Sequence, residues 1–449
     1  MSKDIRIKKG LDIKLVGDAK QETSSAAPSK IYAVQPQDFH GITPKIIAKE
    51  GTKVKAGEAL FYSKADERIL FPSPVAGTVV EIVRGARRRV LSMKIEADAK
   101  QSFKDFGKKN VGDLDEQQVK DALFESGCWP FIKQRPYDIV ANPNQAPKAI
   151  FISAYASAPL AADYSYTLDG KTEELQAAIT ALGKLTKGKV HVSVGANQNT
   201  PFNSMEGIEL HRVTGPHPSG NVGTQIGMID PINKGEVVWV VTPQDLVVIG
   251  ELFLTGKLNL TRTIALTGSK INEPKYVTAV AGATIADVVA ENIDADNVRV
   301  ISGNVLSGTQ TEMDGFLGYY DNQITAIPEG DDYDFFGWNR PIFDKISTSR
   351  ALTFSWLTPK KKYDLNTNTN GEHRAFVVTG SYEEVFPLDI YPLQLLKAFM
   401  VKDLDEMEAL GGYEVAPEDF ALTEFICVSK QPHQQIIREG LDLMKEELG

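Results

Sequence analysis

Apolar residues in the first hundred positions recur with period two. Ile5 and Ile7, then Leu11, Ile13 and Leu15 beyond a break at Gly10, alternate with polar neighbours. That spacing predicts short strands with one buried face. Residues 24–29 (SSAAPS) read as a small-residue loop. The runs GTKVKAGEAL at 51–60 and PSPVAGTVVEI at 72–82 carry glycines at 51, 57 and 77, suited to tight turns. Leu60, Val75, Val79 and Val83 supply the core expected there. Residues 100–112 are polar and read as a linker. Asp113, with Glu116 three positions on, predicts a helix start carrying a stripe of Leu114, Val119, Leu123 and Phe124.

From Ala149 the pattern becomes strand–helix alternation. The apolar run AIFIS at 149–153 fits a central strand. Thr172 is expected to cap a helix with Glu173 and Glu174 in its first turn and Leu175, Ile179, Leu182 and Leu185 on its buried stripe. Val190, Val192 and Val194 predict the next strand, and 209–214 and 237–241 two more. Thr242-Pro243 opens another helix. This is an open α/β sheet, Rossmann-like in its layering. A strand at 259–267, a helix capped by Thr284 and a strand at 299–302 make a small αβ unit. The final hundred residues read as mainly helical. The expected division is 1–105 β-rich, 106–257 α/β, 258–330 small αβ and 331–449 helical.

Charge and composition narrow the function. The 449 residues carry a net charge of −10, which argues against gripping nucleic acid or an anionic surface. The two cysteines, Cys128 and Cys427, are too few to hold an iron–sulfur cluster or a four-cysteine zinc site. The charged start does not read as a signal peptide, and the most apolar stretch, 237–254, is interrupted by Pro243, Asp245, Gly250 and Glu251. Membrane contact is therefore expected to be peripheral only.

In open α/β sheets ligands bind beyond the carboxyl ends of the strands. Two loops are expected there, SAYASAPLAAD at 153–163 and GPHPSGNVGTQIG at 215–227. Gly215, His217, Gly220 and Gly223 of the second loop either cradle a phosphate through backbone N–H groups or only shape a turn. The loop matches neither G-x-G-x-x-G nor G-x-x-x-x-G-K-[ST]. His191, His211 and His217 share this region without metal-ligand spacing, so no metal site is expected. No catalytic residue is assigned. Arg84 and Arg87 to Arg89 read as a solvated hairpin tip. Aromatic clusters at Trp129 and Phe131, and at Phe335, Phe336 and Trp338, read either as packing or as an apolar quinone slot.

The spacing G-x-x-V-x-x-G-x-x-L followed by P-x-x-G-x-V resembles the biotinyl/lipoyl carrier fold. Counting as that family does puts its modified lysine at Glu67, so the attachment residue is lost, and Lys64 falls three residues early. Over nearly the whole chain, KKGLDI at 8–13, PSPVAGTV at 72–79, PLAAD at 159–163, RVTGPHPSG–VGT at 212–224, RVISGNVLSG at 299–308, FFGW at 335–338 and PLDIYP at 387–392 resemble one family. It is the peripheral A-subunit family of the sodium-translocating NADH:quinone oxidoreductases. The α/β region and the small αβ unit, an SLBB-type ubiquitin-like domain, also resemble the flavin subunit of respiratory complex I and the C subunit of the Rnf complex.

The resemblance implies a place on the cytoplasmic face of the bacterial inner membrane. Its implied partners are the other five subunits, NqrB, NqrC, NqrD, NqrE and NqrF, with docking on the integral membrane subunit NqrB. The complex I and Rnf relatives carry Glu-Pro where this chain has Ala158-Pro159, an acidic residue in the Gly-rich loop, and C-x-x-C runs in their C-terminal helical domain, where this chain has the single Cys427. The NADH/FMN, iron–sulfur and biotin sites are therefore expected to be degenerate. FMN, FAD, riboflavin and iron–sulfur centres would belong to other subunits. Ubiquinone or menaquinone is the one cofactor class the resemblance leaves open for this chain, whose expected role is scaffold or docking. The −10 charge suits docking on protein better than on anionic lipid. A cofactor-binding NADH or flavin oxidoreductase subunit, or an Rnf-type C subunit, is the alternative.

Overall fold

The computed structural model describes residues 2–449 except 295, 332–334, 338–340, 342, 344, 348–351 and 378–379. Strands Asp4–Arg6, Glu209–Thr214, Val190–Gly195, Ala149–Ala154 and Val238–Val240 lie parallel in that order in a seven-stranded sheet. Lys133–Arg135 and Ile139–Val140 extend it antiparallel. The 149–154 strand is apolar from Ala149 to Ile152 because helices cover both faces. Ile150 and Ile152 share a core with Leu175, Ile179 and Leu182 of helix Thr172–Gly183 and with Leu246 and Ile249 of helix Pro243–Thr255. Phe151 faces the other way, toward Ile226 of helix Val222–Ile229.

The two helices on the first face meet at Gly250, where an added methyl carbon would lie 1.8 Å from the Glu174 carbonyl oxygen. No rotamer relieves a clash with backbone. Gly250→Ala is therefore expected to cost about 2–3 kcal/mol, read as a lowered thermal unfolding midpoint. An unchanged midpoint would show that the helices part freely.

Residues 31–97 form two small antiparallel sheets, of four and three strands. The hairpin of Ala59–Ser63 and Asp66–Pro72 turns at Lys64 and Ala65, while Glu67 stands in the returning strand. Arg87 and Arg88, both with positive φ, sit exposed at the tip joining Gly77–Arg84 to Val90–Ala97. A six-stranded sheet follows, built from 261–328 and edged by Lys20–Ser25. Ser24 and Ser25 therefore lie in a strand and not in a loop. All six side chains of that strand are exposed, so the apolar pattern carried no signal for it.

Three caps also differ from expectation. Asp115, not Asp113, caps helix Glu116–Ser126, in a reciprocal box with Gln118, because Val111–Asp113 forms a short 3-10 turn. Thr172 is the first helical residue, not the cap. Thr284 does stand at the N-cap of helix Ile285–Val289, but its hydroxyl donates to the carbonyl of Ile31, in strand Ile31–Val34, and not to its own helix. The C-terminal part is helical, with Leu395, Leu396, Phe399, Met407, Phe420, Ile437, Leu441 and Met444 in one core. No helix among the described residues is long and apolar enough to cross a membrane.

Candidate functional site

The two loops do converge at the carboxyl ends of the parallel strands, but they close on each other. The Ser153 hydroxyl donates to the Gly220 carbonyl at 2.7 Å and accepts from the Gln225 amide at 2.8 Å. Ser157 Oγ accepts the Gly220 N–H at 2.7 Å. The same Oγ lies 3.1 Å from His217 Nδ1, in a hydrogen bond that either group can donate. The backbone N–H of His217 donates to Asp12, and burial lowers its ring pKa to about 4.

The glycines serve this closure. A methyl on Gly220 would stand 2.6 Å from both Ser157 N and the Tyr155 carbonyl, and one on Gly215, whose φ is +142°, 2.4 Å from the Ile7 carbonyl. These are close approaches of the chain to itself. Leu160, in the other loop, packs with Tyr382, Leu393 and Leu422 of the C-terminal helices.

Gly223 faces a buried ion pair that nothing in the sequence announced. Arg135 Nη1 lies 2.7 Å from Asp419 Oδ2, and both side chains are only 2% exposed. Arg135 Nη2 reaches Glu418 at 2.6 Å, and the Asn221 amide donates to the Glu418 carbonyl. A methyl at Gly223 would fall 2.3 Å from Arg135 Nη1 and 2.4 Å from Asp419 Oδ1. The first turn of helix Val222–Ile229 is where a bound phosphate would profit from free N–H groups and the helix dipole. Here the chain's own Asp419 carboxylate lies against it. The partners are 284 residues apart, so no local pattern could link them. The one signal was an arginine, IKQRPYDIV, next to short buried strands.

His191, Glu209 and His211 each bring one ligand-type atom within 4.8 Å of the others, a juxtaposition that their spacing in the sequence does not announce. Strand register explains it: His191 pairs with Glu209, and His211 lies two residues on along the same face. The hydrogen bonds argue against a metal. The Lys3 backbone N–H donates to His211 Nδ1, so His211 carries its proton on Nε2 and donates it to His191 Nδ1 at 3.0 Å. A metal on His211 Nε2 would force that proton onto Nδ1, against the Lys3 N–H. The trio fastens the first strand to the sheet. Burial, then the neighbouring His191, lowers the His211 pKa to about 4.

The aromatic candidates separate. Trp129 and Phe131 are fully buried core, the indole N–H of Trp129 donating to the Ala141 carbonyl and Phe131 stacking on Tyr319. Both side chains take part in core packing. Phe335 and Phe336 are 82% and 52% exposed and pack edge-to-face on each other. Trp338 lies outside the described residues. Cys128 and Cys427 are both buried, and burial pushes the Cys128 thiol up to about 12.

Comparison with known proteins places this arrangement. Residues 5–98 match the NqrA N-terminal barrel-sandwich hybrid domain, 114–258 the NqrA second alpha/beta domain and 263–313 the NQRA C-terminal domain. The A-subunit of the Na(+)-translocating NADH-quinone reductase of Rhodopirellula baltica is 35% identical over 448 residues, covering 98% of each chain. That of Neisseria meningitidis serogroup B is 36% identical over 447 residues, covering 99% of this chain and 100% of its own. The chain belongs to the A-subunit family of the Na(+)-translocating NADH-quinone reductases. Among solved structures, an NAD+-reducing [NiFe]-hydrogenase overlaps 47% of this chain and 46% of its own, at 14% identity and a TM-score of 0.33, too slight a likeness to bear on the site. In this member of the family the loops at 153–163 and 215–227 are present, joined to each other and backed by Arg135, Glu418 and Asp419.

Proposed function

We propose that this chain is a peripheral, cytoplasmic-side component of a Na(+)-translocating NADH-quinone reductase, and that within it the chain scaffolds and docks without reacting itself. The complex would couple electron transfer from NADH to quinone with Na+ export. Relatives of that name match the chain from end to end. The observation that carries the non-catalytic role is the mutual hydrogen bonding of the two loops, with an internal carboxylate at the helix N-terminus. On this reading the 106–257 region is a Rossmann-like domain with a closed ligand crevice. Residues 258–330 form an SLBB-type, ubiquitin-like domain between the 1–105 carrier-like part and the 331–449 helices. Flavins and iron–sulfur centres then belong to the other five subunits, with NqrB as the docking partner. Quinone is the one cofactor class left to this chain, without an assigned pocket. No observation favours the alternative of an independent NADH or flavin enzyme.

The test is removal of the chain from the assembled complex. NADH-driven Na+ uptake by proteoliposomes is expected to collapse and to return when the purified chain is added back. A complex that pumps fully without it would refute the proposal.

A further inference from the structure

Phe343, Trp356 and Leu357 have no role in the site above, and they are not core. Phe343, Trp356 and Leu357 are 65%, 59% and 62% exposed. Between residues 340 and 362 the sequence holds six basic residues and one acidic, a net +5 in a chain of −10. The acidic run Asp331, Asp332 and Asp334 ends before this stretch begins. Contacts fold the two ends of the stretch together. The Lys361 ammonium donates to the Phe343 carbonyl, and Lys14, from the N-terminal segment, donates to the Pro359 carbonyl and adds its charge. Lys362 pairs with Asp18, while Lys360 is exposed.

From this face we propose direct contact with the anionic phospholipid surface of a bilayer, with Phe343, Trp356 and Leu357 entering the headgroup region and Lys14, Lys360 and Lys361 meeting lipid phosphates. The inference rests on these residues alone, not on the assembly proposed above. Two observations favour lipid over a protein partner. The apolar side chains stand out into solvent, and the depression beside them, lined by Asp12, Lys14, Ile346, Ser355 and Lys361 among others, holds about 10 Å³, room for a water but not for a partner's side chain. A fluid interface accommodates such protrusions, and tryptophan, phenylalanine and lysine are the residues that settle there. The charge is also matched, because anionic headgroups attract basic clusters within a Debye length of about 8 Å, and among the described residues Lys14, Lys360, Lys361 and Lys362 outnumber Asp12 and Asp18 at this face.

The test uses the purified full chain with vesicles of phosphatidylcholine alone or mixed with phosphatidylglycerol. Co-sedimentation is expected with the mixed vesicles only, fading as salt rises, with a blue shift in tryptophan emission that Trp356→Phe removes. Trp129 and Trp239 are fully buried and should not contribute to it, and Trp338 is replaced by Phe in both proteins compared, so that Trp356 alone reports. Reversing the three lysines (K360E/K361E/K362E) should weaken binding at least about tenfold, since each basic residue near an anionic surface is worth about 1 kcal/mol. Phe343→Ser with Trp356→Ser should weaken it while leaving salt dependence intact. No binding at low salt, equal binding to both vesicle types, or binding untouched by these changes would overturn the proposal. Binding seen only when other subunits are present would overturn it too, and would give the face to protein. Thermal midpoints of the variants guard against misfolding, and the salt dependence of the unaltered chain decides if they fold poorly.

Discussion

Arg135→Ala is expected to cost about 3–5 kcal/mol, because it strips the partner from a carboxylate that cannot reach water. Asp419 is 3% exposed, and besides Arg135 its Oδ2 accepts the Ala416 backbone N–H. Without the guanidinium, that carboxylate would keep one N–H donor and the dipole of helix Val222–Ile229 in a site without solvent. Glu418 suffers less, since its side chain is 40% exposed and can turn to solvent. The loss should appear in urea unfolding as a lower midpoint. Arg135→Met combined with Asp419→Leu should recover most of it, because removing both buried charges removes the desolvation cost with them. A loss below about 1 kcal/mol for Arg135→Ala would mean that Asp419 finds another partner and that the closure depends on something else.

Acid should loosen the fold well above the carboxylate range. Burial lowers the pKa values of His211, His217 and His433 to about 4, with His191 adding to the effect at His211. In the unfolded chain each would titrate near 6.5. Between those values the unfolded state binds more protons, so stability is complete above about 6.5 and falls as the pH drops toward 4. At pH 5 the loss is about 2 kcal/mol per histidine, roughly 6 in all. Asp38 works the other way. Burial raises it to about 7, so the native state holds that proton more tightly and regains about 2.5 kcal/mol by pH 5. The expected net loss from these four groups between pH 7.5 and pH 5 is about 3.5 kcal/mol, and Asp321 and Glu418, whose carboxyls burial also raises, reduce it. Urea midpoints across that range check the sum, and imidazole proton shifts check the cause. At least three of the six histidines should stay neutral to below pH 5. A flat stability profile, or ordinary titration of all six, would contradict it.

The sequence was readable where side chains face a core. The alternation of Val190, Val192 and Val194, the 149–153 run and the helical stripe of Leu175, Ile179 and Leu182 all report burial, and all three lie buried. Where burial is absent, so is the signal, as in the fully exposed strand Lys20–Ser25. Location of the site was legible, since loops at the carboxyl ends of parallel strands could be placed from strand order. Its state was not. The same glycines suit a phosphate cradle or a close backbone approach, and only the neighbours tell which: the Tyr155 carbonyl at Gly220 and Arg135 with Asp419 at Gly223. Those neighbours come from distant segments, as does the register that brings Glu209 beside His191. Aromatic clustering was ambiguous for the same reason: Trp129 is in the core and Phe335 on the surface, though both read alike.

The central claim is that the two loops are closed and that this chain carries no flavin or nicotinamide chemistry. An absorption spectrum of the purified chain, taken before and after anaerobic addition of NADH, tests it most directly. A protein without visible absorption that leaves the NADH signal unchanged is the predicted result. A flavin spectrum that bleaches on adding NADH would contradict it, and would mean that the loops at 153–163 and 215–227 open to hold a nucleotide.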